Sequence, residues 1–398
     1  MDICSVEKCT GCGTCFEICP QKCISFDFDE FGFRVPNVDE SLCLECGLCI
    51  HTCPEAAELS IKNNGEPKVY ATWCKDANVV KRSTSGGAFY AIASNILSRN
   101  GVVYGCTVDE STKVLHIRVD NLCDLSKLHG SKYVQSNLYG IYKSIRSDLL
   151  QGCIVLFSGT PCQVAGIYSY LGSIDKSNLY TIDLVCHGSA SPGFFQQYVE
   201  ETSKEYHDKI VNIEFRNKEK SKKYFVSKIH FSQRPPVYIS ALDDDYMSCF
   251  LRCGIYRECC YECRYATINR VGDFTLGDFF GVNPSSVSNT DYRNGISLLL
   301  VNNSKSSAIF EAILDDINYL ERPLSEAINT NLNLVHPSRK PSFRDELLKK
   351  DGRTIHEKKV MFCSNSWKTK LAAIISRTMP YRLLVLANVK RKSDKSSQ

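Results

Sequence analysis

The chain has 398 residues, 43% of them apolar and 23% charged, with a formal net charge of +4. Such a length predicts two or three domains with a full-sized core in at least one, and the composition is that of an ordinary globular protein. So weak a charge, with no basic–aromatic stripe, argues against nucleic acid as a partner. The outlier is 22 cysteines. A secreted disulfide scaffold would be short and would open on a signal peptide. Here Met1-Asp2 leads straight into closely spaced cysteines, and no apolar run reaches transmembrane length. Thiols on this scale predict a cytoplasmic, reducing setting and metal binding.

Cys9, Cys12, Cys15 and Cys19-Pro20 form a C-x2-C-x2-C-x3-C-P run, and Cys43, Cys46, Cys49 and Cys53-Pro54 form a second. Two such runs are the signature of a bacterial-type ferredoxin with two 4Fe-4S clusters, in which the fourth cysteine of each run ligates the other cluster. The spacing predicts one cluster on Cys9, Cys12, Cys15 and Cys53, and a second on Cys43, Cys46, Cys49 and Cys19. Gly11, Gly13 and Gly47 let the backbone curl around them. Zinc sites ordinarily lack the third evenly spaced cysteine and the trailing proline. Short strands are expected after each cluster loop, at Ile24-Ser25-Phe26 and Leu59-Ser60-Ile61, giving an internal two-fold repeat. Residues 1–62 form this α+β module, and Asn63-Asn64-Gly65-Glu66-Pro67 is a turn-rich linker.

A larger α/β domain is expected over 68–335, with an N-terminal part to residue 150 and a C-terminal part from 151. Phe89, Ile92, Ala93, Ile96 and Leu97 have helical spacing. Ser85 is the expected N-cap of that helix and Gly101 lies past its end. A strand follows at Val102-Val103-Tyr104. Cys153 to Phe157 reads as a buried strand, then a helix to Leu171, a second strand from Leu179 to Val185 and a helix from Pro192 to Tyr206. Buried strands alternating with helices predict a parallel pair. Alternating strands are expected at Val211–Phe215 and Phe225–Phe231, a strand at Ile296–Val301, and a helix over 304–320. Residues 336–398 form a basic extension, and from Ser366 it holds eight Lys or Arg and one acid. That tail has the composition of a membrane-surface helix, although such tails ordinarily stay solvated or pack on their own domain.

Cys162 directly follows the first buried strand of this part, and Cys186 the second. If the strands are parallel neighbours, both thiols lie at the carboxyl edge of the sheet, where α/β folds build their sites. Cys249, Cys253, Cys259, Cys260 and Cys263 crowd together further on, with Cys260 and Cys263 as a C-x2-C pair. Two readings stand side by side. One is a third 4Fe-4S cluster on Cys162, Cys186, Cys260 and Cys263. The other is a zinc knuckle using Cys253 or Cys259 with the pair. Cys106, Cys123, Cys153 and Cys363 read as buried structural thiols.

Seven segments then occur in order: Ser83 to Phe89, Gly130 to Ser136, Ser158 to Gln163, Cys186-His187-Gly188, Phe215 to Lys218, Cys260-x-x-Cys263, and Gly272 to Gly281. Together they resemble the coenzyme F420 hydrogenase/dehydrogenase beta subunit family, in its bacterial form with an N-terminal two-cluster ferredoxin, a branch often found with polysaccharide synthesis genes. The resemblance spans about Val69 to Arg344, with Phe280 where the family often has Trp. It implies a larger α/β domain that binds FAD, and it tips the Cys162, Cys186, Cys260, Cys263 set toward a cluster. By position, Ser85, Gly86 and Gly87 would hold the FAD phosphates at a helix N-terminus. Lys132 and Tyr133 would lie beside the flavin, with Lys132 as the candidate catalytic residue stabilising the anionic reduced ring. The plain alternative for Lys132 is a surface lysine. The implied function is an iron–sulfur flavoprotein oxidoreductase, its redox partner a protein or a small-molecule donor such as coenzyme F420. The alternative is an electron-transfer adaptor with no substrate site of its own.

Overall fold

The computed structural model describes residues 2–57, 66–219, 225–282 and 286–363. In the N-terminal module, α1 (Thr14–Ile18) and α2 (Leu48–His51) each begin directly after a glycine, Gly13 at φ +85° and Gly47 at φ +71°. Only glycine turns the backbone this way without a Cβ clash, so each cysteine loop can reverse into its helix. Strand β1 (Ile24–Phe28) pairs antiparallel with β2 (Arg34–Val38), Ile24 opposite Val38. The strand expected at Leu59–Ile61 lies outside the described residues.

The rest of the described chain runs β3 (Lys68–Cys74), α3 (Ala77–Arg82), α4 (Ala88–Ser98), β4 (Val102–Val108), β5 (Val114–Val119), α5 (Ile141–Leu150), β6 (Val155–Ser158), α6 (Pro161–Leu171), β7 (Leu179–Leu184) and α7 (Pro192–Glu205). There follow β8 (Ile210–Glu214), β9 (Val226–Phe231), β10 (Val237–Ser240), α8 (Asp245–Leu251), β11 (Phe274–Asp278), α9 (Asn289–Asn294), β12 (Ser297–Val301), α10 (Ser304–Ala312) and β13 (Ile317–Arg322). Eight strands form one sheet in the order β13-β3-β12-β11-β7-β6-β4-β5. Its centre, β11-β7-β6-β4, is parallel, and antiparallel strands flank it on both sides. The sheet draws strands from both sides of residue 150.

Alternation along the central strands splits their side chains between two cores. Leu156 faces Ile92, Ile96 and Ile309, while Val155 and Phe157 face Ile145, Val164 and Ile167. Helices therefore cover both faces, which explains why β6 reads as an unbroken apolar run. A second sheet, β10-β9-β8, packs with α7 and α8 in a separate core centred on Phe195, Phe215 and Tyr246.

Three expectations are corrected. Ser85 does not cap α4. Gly87 stands at the N-cap with φ +93°, and the Ser85 hydroxyl donates instead to the Ile296 carbonyl at 2.7 Å. The helix expected over 304–320 ends at Ala312, and β13 follows it. Alternating Ile317, Tyr319 and Glu321 suits an outer strand on β3 better than a helix face. Cys123 is exposed rather than buried.

Residues 336–363 of the basic extension are built into the second core through Leu347, Leu348, Ile355 and Cys363. The basic tail from Ser366 lies outside the described residues. Among those described, no helix is long and apolar enough to cross a membrane.

Candidate iron–sulfur and cofactor sites

In the N-terminal module, Cys9, Cys12, Cys15 and Cys53 line one cavity, and Cys4 shares its wall. Cys19, Cys43, Cys46 and Cys49 line a second, together with Cys23. The trailing cysteine of each run has crossed to the other run's cavity. Backbone amides point at the sulfurs. Gly11 N–H donates to Cys9 Sγ and Glu45 N–H to Cys43 Sγ, each at 3.4 Å. All-thiol linings with apolar walls and N–H···S bonds suit iron–sulfur clusters, whose potentials depend on such bonds. Among the described residues, no three His, Cys, Asp or Glu groups converge on a point as a single metal ion requires.

The second set of cysteines is assembled by the large sheet. β6 and β7 are parallel neighbours with Ser158 opposite Ile182, so their following loops lie side by side. Thr160 caps α6 in a reciprocal capping box with Gln163, which places Cys162 in the helix's first turn, its Sγ 3.2 Å from Thr160 Oγ1. Cys186, Cys260 and Cys263 all lie within electrostatic reach of Cys162. Ser189 N–H donates to Cys260 Sγ at 3.3 Å. Burial, then the neighbouring thiols, raises Cys162 well above the ordinary thiol range. Thiols packed this way ionise only beside a compensating positive charge, which bound metal provides. Cys259 hydrogen-bonds the Cys260 thiol and also reaches Cys162. Cys249 lies elsewhere, with its Sγ 3.7 Å from that of Cys363, and Cys253 packs near Tyr256 and Ser338.

A buried ion pair holds this arrangement. Arg270 Nη2 donates to Asp183 Oδ1 at 2.9 Å, and both side chains are essentially inaccessible. The same guanidinium donates to the carbonyls of Leu184, Tyr265 and Thr267. It thereby ties the loop after Cys263 to the strand end before Cys186. Sequence reasoning missed both residues, because a lone Arg and a lone Asp carry no spacing signal.

The N-terminal module is clamped against these elements. Thr14 Oγ1 donates to the Gly166 carbonyl of α6 at 3.3 Å. A Cβ at Gly166 would stand 2.7 Å from Tyr142 Oη and 3.2 Å from Cys12 Cβ. Cys162 is one helical turn from Gly166, so Cys12 and Cys162 flank the same short stretch of α6. Arg257 joins the two from the other side. Its Nε donates to the Cys9 carbonyl at 2.6 Å, its Nη2 to the Arg34 carbonyl at 2.7 Å, and Nη2 also stands 3.6 Å from Cys9 Sγ.

The Ser83–Gly87 and Gly130–Ser136 segments are neighbours, with Ser131 N–H donating to Thr84 Oγ1 at 2.7 Å. Lys132 is half-buried, and its Nζ donates to the His129 carbonyl at 2.7 Å. Burial pushes its pKa down to about 8, against an opposing pull from Cys106. His116 Nε2 sits 2.9 Å from the Ser158 carbonyl, while its buried Nδ1 and the buried Nε2 of His129 have no hydrogen-bond partner among the described residues. Burial holds both imidazoles down to about 4, so they are neutral. A half-buried lysine beside unsatisfied ring nitrogens suits a polar, electron-rich ring.

Tyr133 packs edge-on against Phe215, and Arg216 donates to its hydroxyl at 3.4 Å while pairing with Asp278. Lys218 Nζ donates to the carbonyls of Val80, Ser85 and Asn294 and locks the Ser83–Gly87 loop in place. Within that loop, Gly86 N–H donates to Ser297 Oγ at 2.9 Å. The Ser85 hydroxyl and Gly86 amide are thus engaged in the sheet. The opening amides of α4, Ala88 to Tyr90, precede the first intrahelical donor, Ala91, whose N–H reaches the Gly87 carbonyl at 3.2 Å.

Comparison with known proteins places these observations. The family model describing the C terminus of the coenzyme F420 hydrogenase/dehydrogenase beta subunit matches residues 154–327, and that of the 4Fe-4S dicluster domain matches residues 8–57. No curated protein matches the chain. Among solved structures, a chain of the xenon-derivatised F420-reducing nickel–iron hydrogenase complex from Methanosarcina barkeri aligns over 66% of this chain and 84% of that one, at 15% identity and a TM-score of 0.45. Residues 154–327 thus match the C-terminal region of the coenzyme F420 hydrogenase/dehydrogenase beta subunit, and a 4Fe-4S dicluster domain precedes that region in the same polypeptide.

Proposed function

We propose that the chain is an iron–sulfur flavoprotein oxidoreductase that passes electrons between its dicluster domain and an FAD-bound substrate site through a third 4Fe-4S cluster. In this reading Cys9, Cys12, Cys15 and Cys53 ligate the inner N-terminal cluster, and Cys43, Cys46, Cys49 and Cys19 the outer one. Cys162, Cys186, Cys260 and Cys263 ligate the third. The observation that carries it is the position of the Cys162 quartet. On one side Cys12 approaches across Gly166. On the other, the Ser158–Gln163 loop reaches His116 through the Ser158 carbonyl and Ser136 through Gln163. The Cys162 loop therefore touches both the thiol set and the polar residues His116 and Ser136.

The FAD would supply exchange between single electrons and electron pairs. Lys132 would place positive charge at the ring, its ammonium held by the His129 carbonyl, and the neutral imidazoles of His116 and His129 would orient it. Arg216, paired to Asp278, would hold Tyr133 against the pocket wall.

Anaerobic purification with iron, sulfide and flavin assays tests the reading. About twelve irons per chain, four for each cubane, with bound flavin is the expected result. About eight irons and no flavin would leave the electron-transfer adaptor as the better description. With the loaded protein, bleaching of the flavin band by reduced coenzyme F420, NADH or reduced ferredoxin identifies the donor class.

A further inference from the structure

A 4Fe-4S cluster takes four protein ligands, yet five cysteines line each cavity of the dicluster domain. The extra thiols are Cys4 in the first and Cys23 in the second, and neither belongs to a C-x2-C-x2-C-x3-C run. Cys23 Sγ stands 3.4 Å from Cys19 Sγ and also faces Cys43. Cys4 lines the first cavity beside Cys53 and Cys9. In both cavities the extra thiol thus meets the same kind of partner, the trailing cysteine that crosses from the other run. That crossed ligand depends on the two halves of the module holding their mutual position, so it is the ligand most exposed to loss when they shift. A purely packing role covers Cys23, which is buried beside Ile24. It does not cover Cys4, which is only half-buried, lies outside the apolar cluster around Ile24 and donates to the adjacent Ser5 carbonyl at 3.3 Å.

We propose that Cys4 and Cys23 are reserve ligands, each able to take the iron corner that Cys53 or Cys19 leaves. In the exchange one iron–thiolate bond breaks and another forms. The incoming thiol gives up its proton, the departing thiolate takes it, and the cluster keeps its charge and oxidation state. No outside oxidant or reductant is required. Each N-terminal cluster therefore survives the loss of its crossed ligand.

The test uses the full-length chain, reconstituted anaerobically with iron and sulfide. It compares Cys19→Ala, Cys23→Ala and their double variant, and likewise Cys53→Ala, Cys4→Ala and their double. Iron and sulfide per chain are measured, together with the electron paramagnetic resonance of the reduced protein. All four single variants should hold the wild-type iron content, with displaced resonances in Cys19→Ala and Cys53→Ala, whose clusters have changed a ligand. Each double variant should lose about four irons and one of the two N-terminal signals. The untouched cluster's signal is common to each single and double pair and serves as the folding control. Cys19→Ala and Cys53→Ala falling to the iron content of their doubles would overturn the proposal. So would loss of a cluster from Cys4→Ala or Cys23→Ala alone.

Discussion

Arg257 is a buried cation set between two groups of thiols, and its position has a measurable electrical consequence. Positive charge and N–H donors directed at the Cys9 loop stabilise the more negative, reduced form of a cluster bound there. Hydrogen bonds to charged groups contribute about 1.5–3 kcal/mol, which for one electron corresponds to roughly 60–130 mV. Arg257→Gln should lower the midpoint potential of the inner N-terminal cluster by about that much. Arg257→Lys, which keeps the charge but loses the fork, should lower it less. Redox titration followed by paramagnetic resonance reads both, and potentials unchanged in both variants would reduce Arg257 to a structural clamp.

Lys132 makes a prediction of a different sign. Its pKa is about 8 in the folded chain against an ordinary 10.5, because burial disfavours the ammonium. Between those values the unfolded chain binds more protons, so stability rises with pH across that window. Below pH 8 the full penalty of the buried charge applies. Lys132→Met should therefore unfold at a higher temperature than the wild type at pH 7 when no flavin is bound, and the gap should close toward pH 10. With flavin present the same substitution should weaken cofactor retention. At this scale the eight run cysteines were legible from spacing alone. Arg257, Cys4 and Cys23 were not, since what they do depends on neighbours far away in the chain.

At the scale of elements, the parallel strands announced themselves. Residues 153–157 and 179–185 are apolar runs bounded by turn residues, and burial on both faces leaves no other pattern. The antiparallel flanks did not. β5, β10 and β13 are half-exposed, with polar residues on one face, and β13 was absorbed into the helix before it. The carboxyl edge of the parallel centre was also readable, and it brought Cys162 and Cys186 together as expected. What fixes that edge is the Arg270–Asp183 pair. Arg270→Met leaves Asp183 buried without its partner, a loss of about 3–5 kcal/mol. A lower unfolding temperature and loss of about four irons per chain should follow, if the quartet holds a cubane. Adding Asp183→Leu should restore part of the stability, since replacing both members of a buried pair by apolar groups is often neutral. It should not restore the iron, because the guanidinium's bonds to Leu184, Tyr265 and Thr267 are still missing.

For the molecule as a whole, the N-terminal module is a docked part rather than a tethered carrier. Phe33 is buried among residues of the second core, Gly32 bonds backbone to backbone with Gly193, and Tyr265 donates to Glu55 at 2.7 Å. The sequence marked the dicluster module, which the 4Fe-4S dicluster model matches over residues 8–57, but offered no sign of this docking, because its contacts are single residues spread over more than two hundred positions. In the proposed route electrons would cross from module to sheet where Cys12 approaches Gly166, one helical turn from Cys162, and Gly166 would set the width of that crossing. Gly166→Val adds atoms where a Cβ already stands 2.7 Å from Tyr142 Oη and 2.8 Å from Thr14 Oγ1. Both oxygens are held by hydrogen bonds to the backbone of α6, so the Cys12 loop has to move away from it. No thiol is altered, and iron and flavin contents should stay at wild-type levels. If the proposed flavin is bound, electron passage to it from the reduced N-terminal clusters should nevertheless slow, because the path across α6 has lengthened. Stopped-flow reduction through the ferredoxin end, followed at the flavin band, measures this directly. A wild-type rate in a fully loaded Gly166→Val protein would mean that electrons cross somewhere other than beside α6.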